Sequence, residues 1–208
     1  MNRTEFLHDY WRYYLMLEKK FINTLNYVEL STDNYAVYSN EFANLLQSAG
    51  AELDAFFKVF CNLTSGRPTI SDYASCILSN YPEVTTQEVN IHSYGITFKP
   101  FGNWKVQQSA KSLTWWDAFT SIKHNRIAAI RKASLENVMN IMGALCFLEM
   151  KYLLIITQRT DEVNVPDEES AIFTLKDWLR NFVPQIGAKV SRGKDGSLIA
   201  GIDCGEIN

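Results

Sequence analysis

Apolar side chains recur at helical spacing along most of the chain, and the spacing changes in only two regions. Phe6, Tyr10, Tyr13, Leu17, Phe21, Leu25 and Val28 fall three or four residues apart and predict a helix over residues 4–30. The run Ser31-Thr32-Asp33-Asn34 is dense in cap and turn residues and should end it. Tyr38, Phe42, Leu45, Ala49, Leu53, Phe56 and Phe60 form the stripe of a second helix over residues 35–60. So short a link between two long amphipathic helices predicts an antiparallel pair. Gly50 lies inside the second helix, where glycine costs about 1 kcal/mol relative to alanine, and suits either a close helix contact or a mild bend. Residues 64–68 read as a loop, and residues 69–79 as a short helix capped by Thr69 or Ser71 and ended before Tyr81-Pro82.

Between residues 84 and 108 the period drops to that of a strand. Val89, Ile91, Ile96 and Phe98 alternate around Ser93-Tyr94-Gly95, which predicts a small β-hairpin or extended flap inserted into a helical protein. A two-stranded ribbon is marginal alone and must lie against the helices. Helical spacing returns with a short helix from Ser112 or Thr114 through Trp115 to Arg126, and then with a long one over residues 135–158. The latter is apolar on most sides and belongs at the centre of a bundle. An acidic linker with five carboxylates spans residues 160–169, and Ile172, Phe173, Leu175, Trp178, Leu179 and Phe182 predict a last helix over 170–182. Five glycines and no period follow Pro184, as in a tail or extended arm. The expected fold is mainly α: one antiparallel helical-bundle domain over residues 1–183, with a flap at 84–108, a C-terminal helix and a Gly-rich tail over 184–208.

Composition narrows the options. A chain of 208 residues that is 47% hydrophobic can build a core without a disulfide or metal staple. A net charge of −3 gives no global attraction to nucleic acid or an anionic membrane, so any such contact must be local. Cys61, Cys76, Cys146 and Cys204 show no CxxC pairing and read as free thiols of a reducing compartment. The N-terminus lacks a secretory apolar region, and the apolar run from Ile141 to Ile156 is interrupted by Glu149 and Lys151 and falls short of the roughly 20 residues a bilayer requires. A cytoplasmic, bacterial-type protein that does not enter the membrane is expected. There is no Walker loop, dinucleotide turn, HExxH or GxSxG, so no cofactor is expected. No metal is expected either, because the helix carboxylates, Glu41, Glu52 and Glu149 among them, lack a histidine three residues on.

Candidate chemistry concentrates in residues 115–132. Lys123, Arg126, Arg131 and Lys132 fall within ten residues with no acid among them, and from Lys99 to Leu135 seven Lys/Arg face Asp117 alone. A basic patch on an acidic protein is a local footprint for a phosphate backbone. His124 titrates near neutrality and suits general acid or base work, and Arg126 could stabilise charge on phosphorus. Lys123, Asn125, Arg131 and Lys132 are candidates for holding substrate, and Trp115 and Trp116, with Trp104, Phe98 and Phe101, for stacking bases. The plainer alternative is that the cations complement a helix C-terminus and the aromatics pin the flap to the bundle.

The order of elements, in which two long helices and an intervening segment precede a short helix whose His124-Asn125-Arg126 cluster feeds an apolar helix, resembles the HEPN superfamily (higher eukaryotes and prokaryotes nucleotide-binding domain) over residues 4–158. The resemblance implies a helical bundle, commonly a homodimer, whose active members cleave RNA without metal, in toxin or phage-defence settings. The family signature places an arginine four to six residues before its histidine, whereas here Arg126 follows His124. The one match to that order, Arg3 to His8, lies at the N-terminus, away from the family's position. Two functions are therefore expected: an RNA- or nucleotide-directed protein with His124 and Arg126 as catalytic pair, or a non-enzymatic helical module that binds a protein partner.

Overall fold

The first helical stripe folds in the computed structural model as α1 (Arg3–Phe6), a π turn (Leu7–Trp11) and α2 (Arg12–Thr24), without interruption. The structure describes residues 1–63, 65–158 and 163–176 in full, and residues 187–192 and 198–203 by their backbone. Asn2 opens α1 with a capping box, its side chain accepting from the Glu5 amide while Glu5 accepts from the Asn2 amide. The helix stops at Thr24, several residues before the Ser31–Asn34 turn expected to end it.

The second helix, α3 (Asn40–Phe60), starts later than its apolar stripe suggests because Ser39 is a strong cap, its hydroxyl accepting from the Phe42 amide at 3.0 Å. Residues 35–38 instead form a turn and then an isolated bridge beside the start of the last core helix. The amides of Leu135 and Glu136 donate to the carbonyls of Val37 and Tyr35, and Tyr38 bridges Ser134. Next comes α4 (Ile70–Asn80), whose Thr69 cap donates through its amide and hydroxyl to Asp72. These hydrogen bonds hold the Asp72 carboxyl below the usual carboxylate range.

Strands β1 (Val89–Ile91) and β2 (Ile96–Phe98) form the inserted hairpin, antiparallel with Val89 opposite Phe98, and Gly95 closes the turn in the left-handed region at φ 63°. Its far side lies on α6 (Leu135–Thr157), where Gly143 leaves room for the Phe98 ring; a methyl there would approach that ring to 2.6 Å. Gly50 does the same job in α3, seating the ring of Phe119 from α5 (Thr114–Ala129) where any side chain would overlap it. Close contact, not a bend, is thus the role of Gly50.

The core runs along α6, from Leu135 through Met142, Leu145 and Leu148 to Leu153, all essentially inaccessible to solvent. Each such fully buried side chain contributes about 1.5–3 kcal/mol relative to exposure. By length and composition α6 is also the one described helix capable of crossing a membrane, and 67% of its most apolar window is buried within the bundle.

Residues 170–176 do not form the start of a helix. They run as bends and a short strand, β3 (Thr174–Leu175), which adds antiparallel to β1 in the order β2-β1-β3. The apolar residues that imitate a helical stripe dock separately: Phe173 stacks on Phe21 at 6.0 Å and meets Phe98 edge-on at 6.2 Å. Residues 177–182 of the expected helix lie outside the described residues. Residues 163–175 thus form a strap over the N-terminal helix, with the acids Asp167, Glu168 and Glu169 of the expected linker exposed on it. Arg3 donates to the carbonyls of Val163 and Val165 and pairs with Asp167, and the Trp11 indole donates to the carbonyl of Glu168 at 2.7 Å.

The chain divides into two compact units, Met1–Trp178 and Leu179–Asn208. In the second, β4 (Gly187–Arg192) and β5 (Leu198–Asp203) pair antiparallel, Gly187 opposite Asp203, where no strand period was apparent in the sequence.

Candidate functional site

Trp115 and Trp116 stand in the first turn of α5, which begins after Leu113 without a side-chain cap. Ser112, one of the two expected caps, instead accepts from the Lys105 amide, and Thr114 is already the first helical residue. Both indoles are core residues. Trp115 is 1% exposed, donates to the carbonyl of Pro100 at 2.8 Å and meets Phe101 edge-on. Trp116 packs between Phe57 and Phe119. Trp104 and Phe101 are equally buried. These aromatics therefore fix the hairpin and α5 to the bundle, and none of them is available to stack on a base.

The polar cluster lies at the other end of α5. Asn125 breaks the helix there, with extended angles of φ −152° and ψ 85°. Its Oδ1 accepts from the Ala128 amide at 3.2 Å, so it acts as the cap of the short helical segment that follows. The break turns Lys123, His124, Asn125, Arg126 and Ile127 outward as an exposed knuckle, and Ile127 is 83% exposed.

The cations in this region separate into two groups. Asp117, the lone acid of the stretch, is bonded by Lys111 and, at 2.6 Å, by Lys132, which also donates to Ser121 at 2.9 Å. Burial opposes ionisation of Asp117, but the two ammonium groups outweigh it and hold its carboxyl below the usual range. Lys132, a candidate for substrate contact, is therefore committed to a structural pair. Lys123, Arg126 and Arg131 make no carboxylate ion pair among the described residues. Lys123 lies 5.6 Å from the centre of the Phe119 ring. Arg126 Nη1 donates to Asn40 Oδ1 at 2.9 Å, and the Arg131 guanidinium stands 5.7 Å from the centre of the Tyr38 ring.

These contacts bring the knuckle against the segment leading into α3. Tyr38, Ser39 and Asn40 form the seam. On one side Tyr38, Arg131, Ser134 and Glu136 line a depression of about 490 Å³, and on the other Ser39, Phe42, Lys20 and Tyr27 line an apolar one of about 470 Å³. Tyr27 is 89% exposed. Periodicity could not reveal this seam, because Tyr38 sits on a helical stripe and Tyr27 within the expected first helix in the sequence, and both lie outside the helices in the structure. Arg3 and His8 are not brought together as a site: Arg3 clamps the strap, and His8 pairs with its neighbour Asp9 at 2.7 Å on the surface.

Among the described residues no group of His, Cys, Asp and Glu could hold a metal ion. No family model, no curated protein and no solved structure matches the chain.

Proposed function

We propose that this protein binds RNA through the knuckle at residues 123–131 and the Tyr27–Asn40 segment, holding the strand without cutting it. The observation that carries the reading is the sorting of charge: Asp117 takes up Lys111 and Lys132, while Lys123, His124, Arg126 and Arg131 remain exposed and form no carboxylate ion pair among the described residues. Cations so placed attract a phosphate backbone locally, on a chain whose net charge is −3. The pairing of Arg131 with Tyr38 adds a planar surface of the kind on which unpaired bases stack. The resemblance to the HEPN superfamily, with the polar cluster ahead of the apolar helix, implies the same substrate class.

Binding without cleavage is favoured because Arg126 is tethered to Asn40, and no carboxylate pairs with His124 to orient it among the described residues. The test is fluorescence anisotropy with a labelled single-stranded RNA over a salt series, beside Arg126→Ala/Arg131→Ala. The double variant should bind at least tenfold more weakly and lower the salt slope by roughly 1.4, about 0.7 per lost phosphate contact. Equal affinity in both proteins removes the proposal. Cleavage in EDTA that disappears with His124→Ala replaces it with a nuclease.

The 83% exposure of Ile127 and 89% exposure of Tyr27 favour a second reading, in which this surface docks a protein, a second copy of the chain included. Ile127→Lys then shifts the oligomeric state seen by light scattering and leaves RNA affinity unchanged or stronger.

A further inference from the structure

Away from that surface, α3 and α4 cross with their side chains in register. Phe57 stacks on Tyr73 at 5.1 Å and 24°, and Phe60 meets Tyr81 edge-on at 5.3 Å. Cys61 follows Phe57 by one turn and Cys76 follows Tyr73 by three residues, which places both thiols at this crossing, near enough for Cys76 to raise the Cys61 thiol. Both cysteines are free and both are partly exposed, whereas Cys146 is buried in α6. Cys61 is the residue that closes α3, its amide donating to the carbonyl of Phe57 at 2.9 Å. The connection to α4 is irregular at each end, with Asn62 at φ 53° and Gly66 at φ 81°, so Cys61 borders a loop instead of lying locked within a helix.

We propose that Cys61 and Cys76 are an oxidisable dithiol that closes to an intramolecular disulfide, fastening α4 to the end of α3. The oxidant is a small peroxide. The Cys76 sulfur attacks one peroxide oxygen, the O–O bond breaks, and the products are a Cys76 sulfenic acid and water. The Cys61 sulfur then attacks the Cys76 sulfur, forming S–S and breaking S–O, and the hydroxyl leaves with the Cys61 proton as a second water. Two electrons pass from the two thiols to the peroxide, and a dithiol reductant reverses the change.

Burial and the neighbouring Cys76 push the Cys61 thiol up. The closed form shortens the conformational reach of the loop between the helices, so oxidation reports itself as stability. Cys61 closes α3 at the end opposite Asn40, where Arg126 of the knuckle is bonded, so the change is independent of RNA binding.

The experiment uses the full chain, reduced, desalted and exposed to hydrogen peroxide, then alkylated and digested without reductant. A cross-linked pair of peptides containing Cys61 and Cys76, with an intact mass lower by two hydrogens and restored by dithiothreitol, is expected. A link that closes a loop of about fifteen residues should raise the melting midpoint by roughly 5–10 °C. The rise should survive in Cys146→Ala/Cys204→Ser and vanish in Cys61→Ser and in Cys76→Ser. The cross-linked peptide is read in the wild-type chain and stands even where a serine variant folds poorly. Persistent sulfenic or sulfinic acid without the link, a link to Cys204 or to a second chain, or no reaction at all overturns the proposal.

Discussion

Two glutamates lie inside the bundle, and their surroundings are opposite. Glu18 of α2 is 2% exposed and fully engaged: it accepts from the Tyr14 hydroxyl at 2.6 Å, from the Ser170 hydroxyl, and from the Ala171 amide at 2.9 Å. Glu149 of α6 is 0% exposed, and among the described residues neither carboxyl oxygen has a hydrogen-bond partner. Burial drives the Glu149 carboxyl well above its ordinary range, and the half-buried Glu52 on α3 adds to the effect. Tyr10, from the π turn, and Tyr152, one turn further along α6, share its surroundings. The comparison separates two uses of one residue type. A buried carboxylate supplied with donors ties two distant segments together. One without donors stays protonated and weakens the fold.

The largest test removes the tie. Glu18→Ala leaves the Ala171 amide and two hydroxyls without their acceptor and should cost about 3 kcal/mol in denaturant unfolding, with hydrogen exchange accelerating over residues 163–175. A loss under about 1 kcal/mol would show that the strap is held by its other contacts, those of Arg3, Trp11 and Phe173. Next, Glu149→Met replaces an unpartnered acid by an unbranched apolar chain and should stabilise the fold at pH 7 by about 1–3 kcal/mol. Destabilisation there would mean that Glu149 does have a partner in solution.

The pH profile sharpens the contrast. Glu149 has a folded pKa raised above its unfolded value of 4.5, so below that value both states hold the proton and the residue contributes no slope. As pH rises past it, only the unfolded chain releases the proton, and stability falls by at most about 1.4 kcal/mol per unit. The gap between wild type and Glu149→Met should therefore widen from pH 4.5 upward, and parallel curves would contradict the assignment. Glu83 and Asp117, whose carboxyls are held low, contribute the opposite slope in both proteins and cancel in that difference. The smallest effect belongs to Glu52→Gln. It should change stability by under about 1 kcal/mol, because Glu52 is only half-buried, while moving the Glu149 transition to lower pH by removing a like charge.

Much of the bundle was legible because α3 and α6 are amphipathic or apolar over many turns, and the 89–98 hairpin because Gly95 stands where a left-handed turn is needed. Short-range patterns failed where a distant partner decides. Ile172, Phe173 and Leu175 imitate a helical stripe, yet residues 170–176 are extended because β1 offers an edge and Phe21 and Phe98 offer rings. In the candidate site the basic excess was legible from residue counts. What was not legible is its division, with Lys132 spent on Asp117 while Arg126 and Arg131 reach Asn40 and Tyr38, residues some ninety positions away. The paired tryptophans misled as candidate stacking surfaces because their spacing says nothing about which way α5 faces. Asn125 was noticed as a polar group beside a histidine, while its cap geometry, which creates the knuckle, depends on a break that no pattern marked.

The strap over the N-terminal helix also bears on how the chain is made. Arg3, Trp11 and Glu18 leave the ribosome early, but the groups they bind lie 152 to 164 residues later. At about 5–20 residues per second, that separation amounts to many seconds of synthesis during which a helix destined for the interior has no cover for its buried acid. The nascent bundle must wait half-dressed for its closing segment. Chaperones that shield exposed apolar surface would find their longest opportunity in that interval, and a pause in translation ahead of residue 163 would lengthen it.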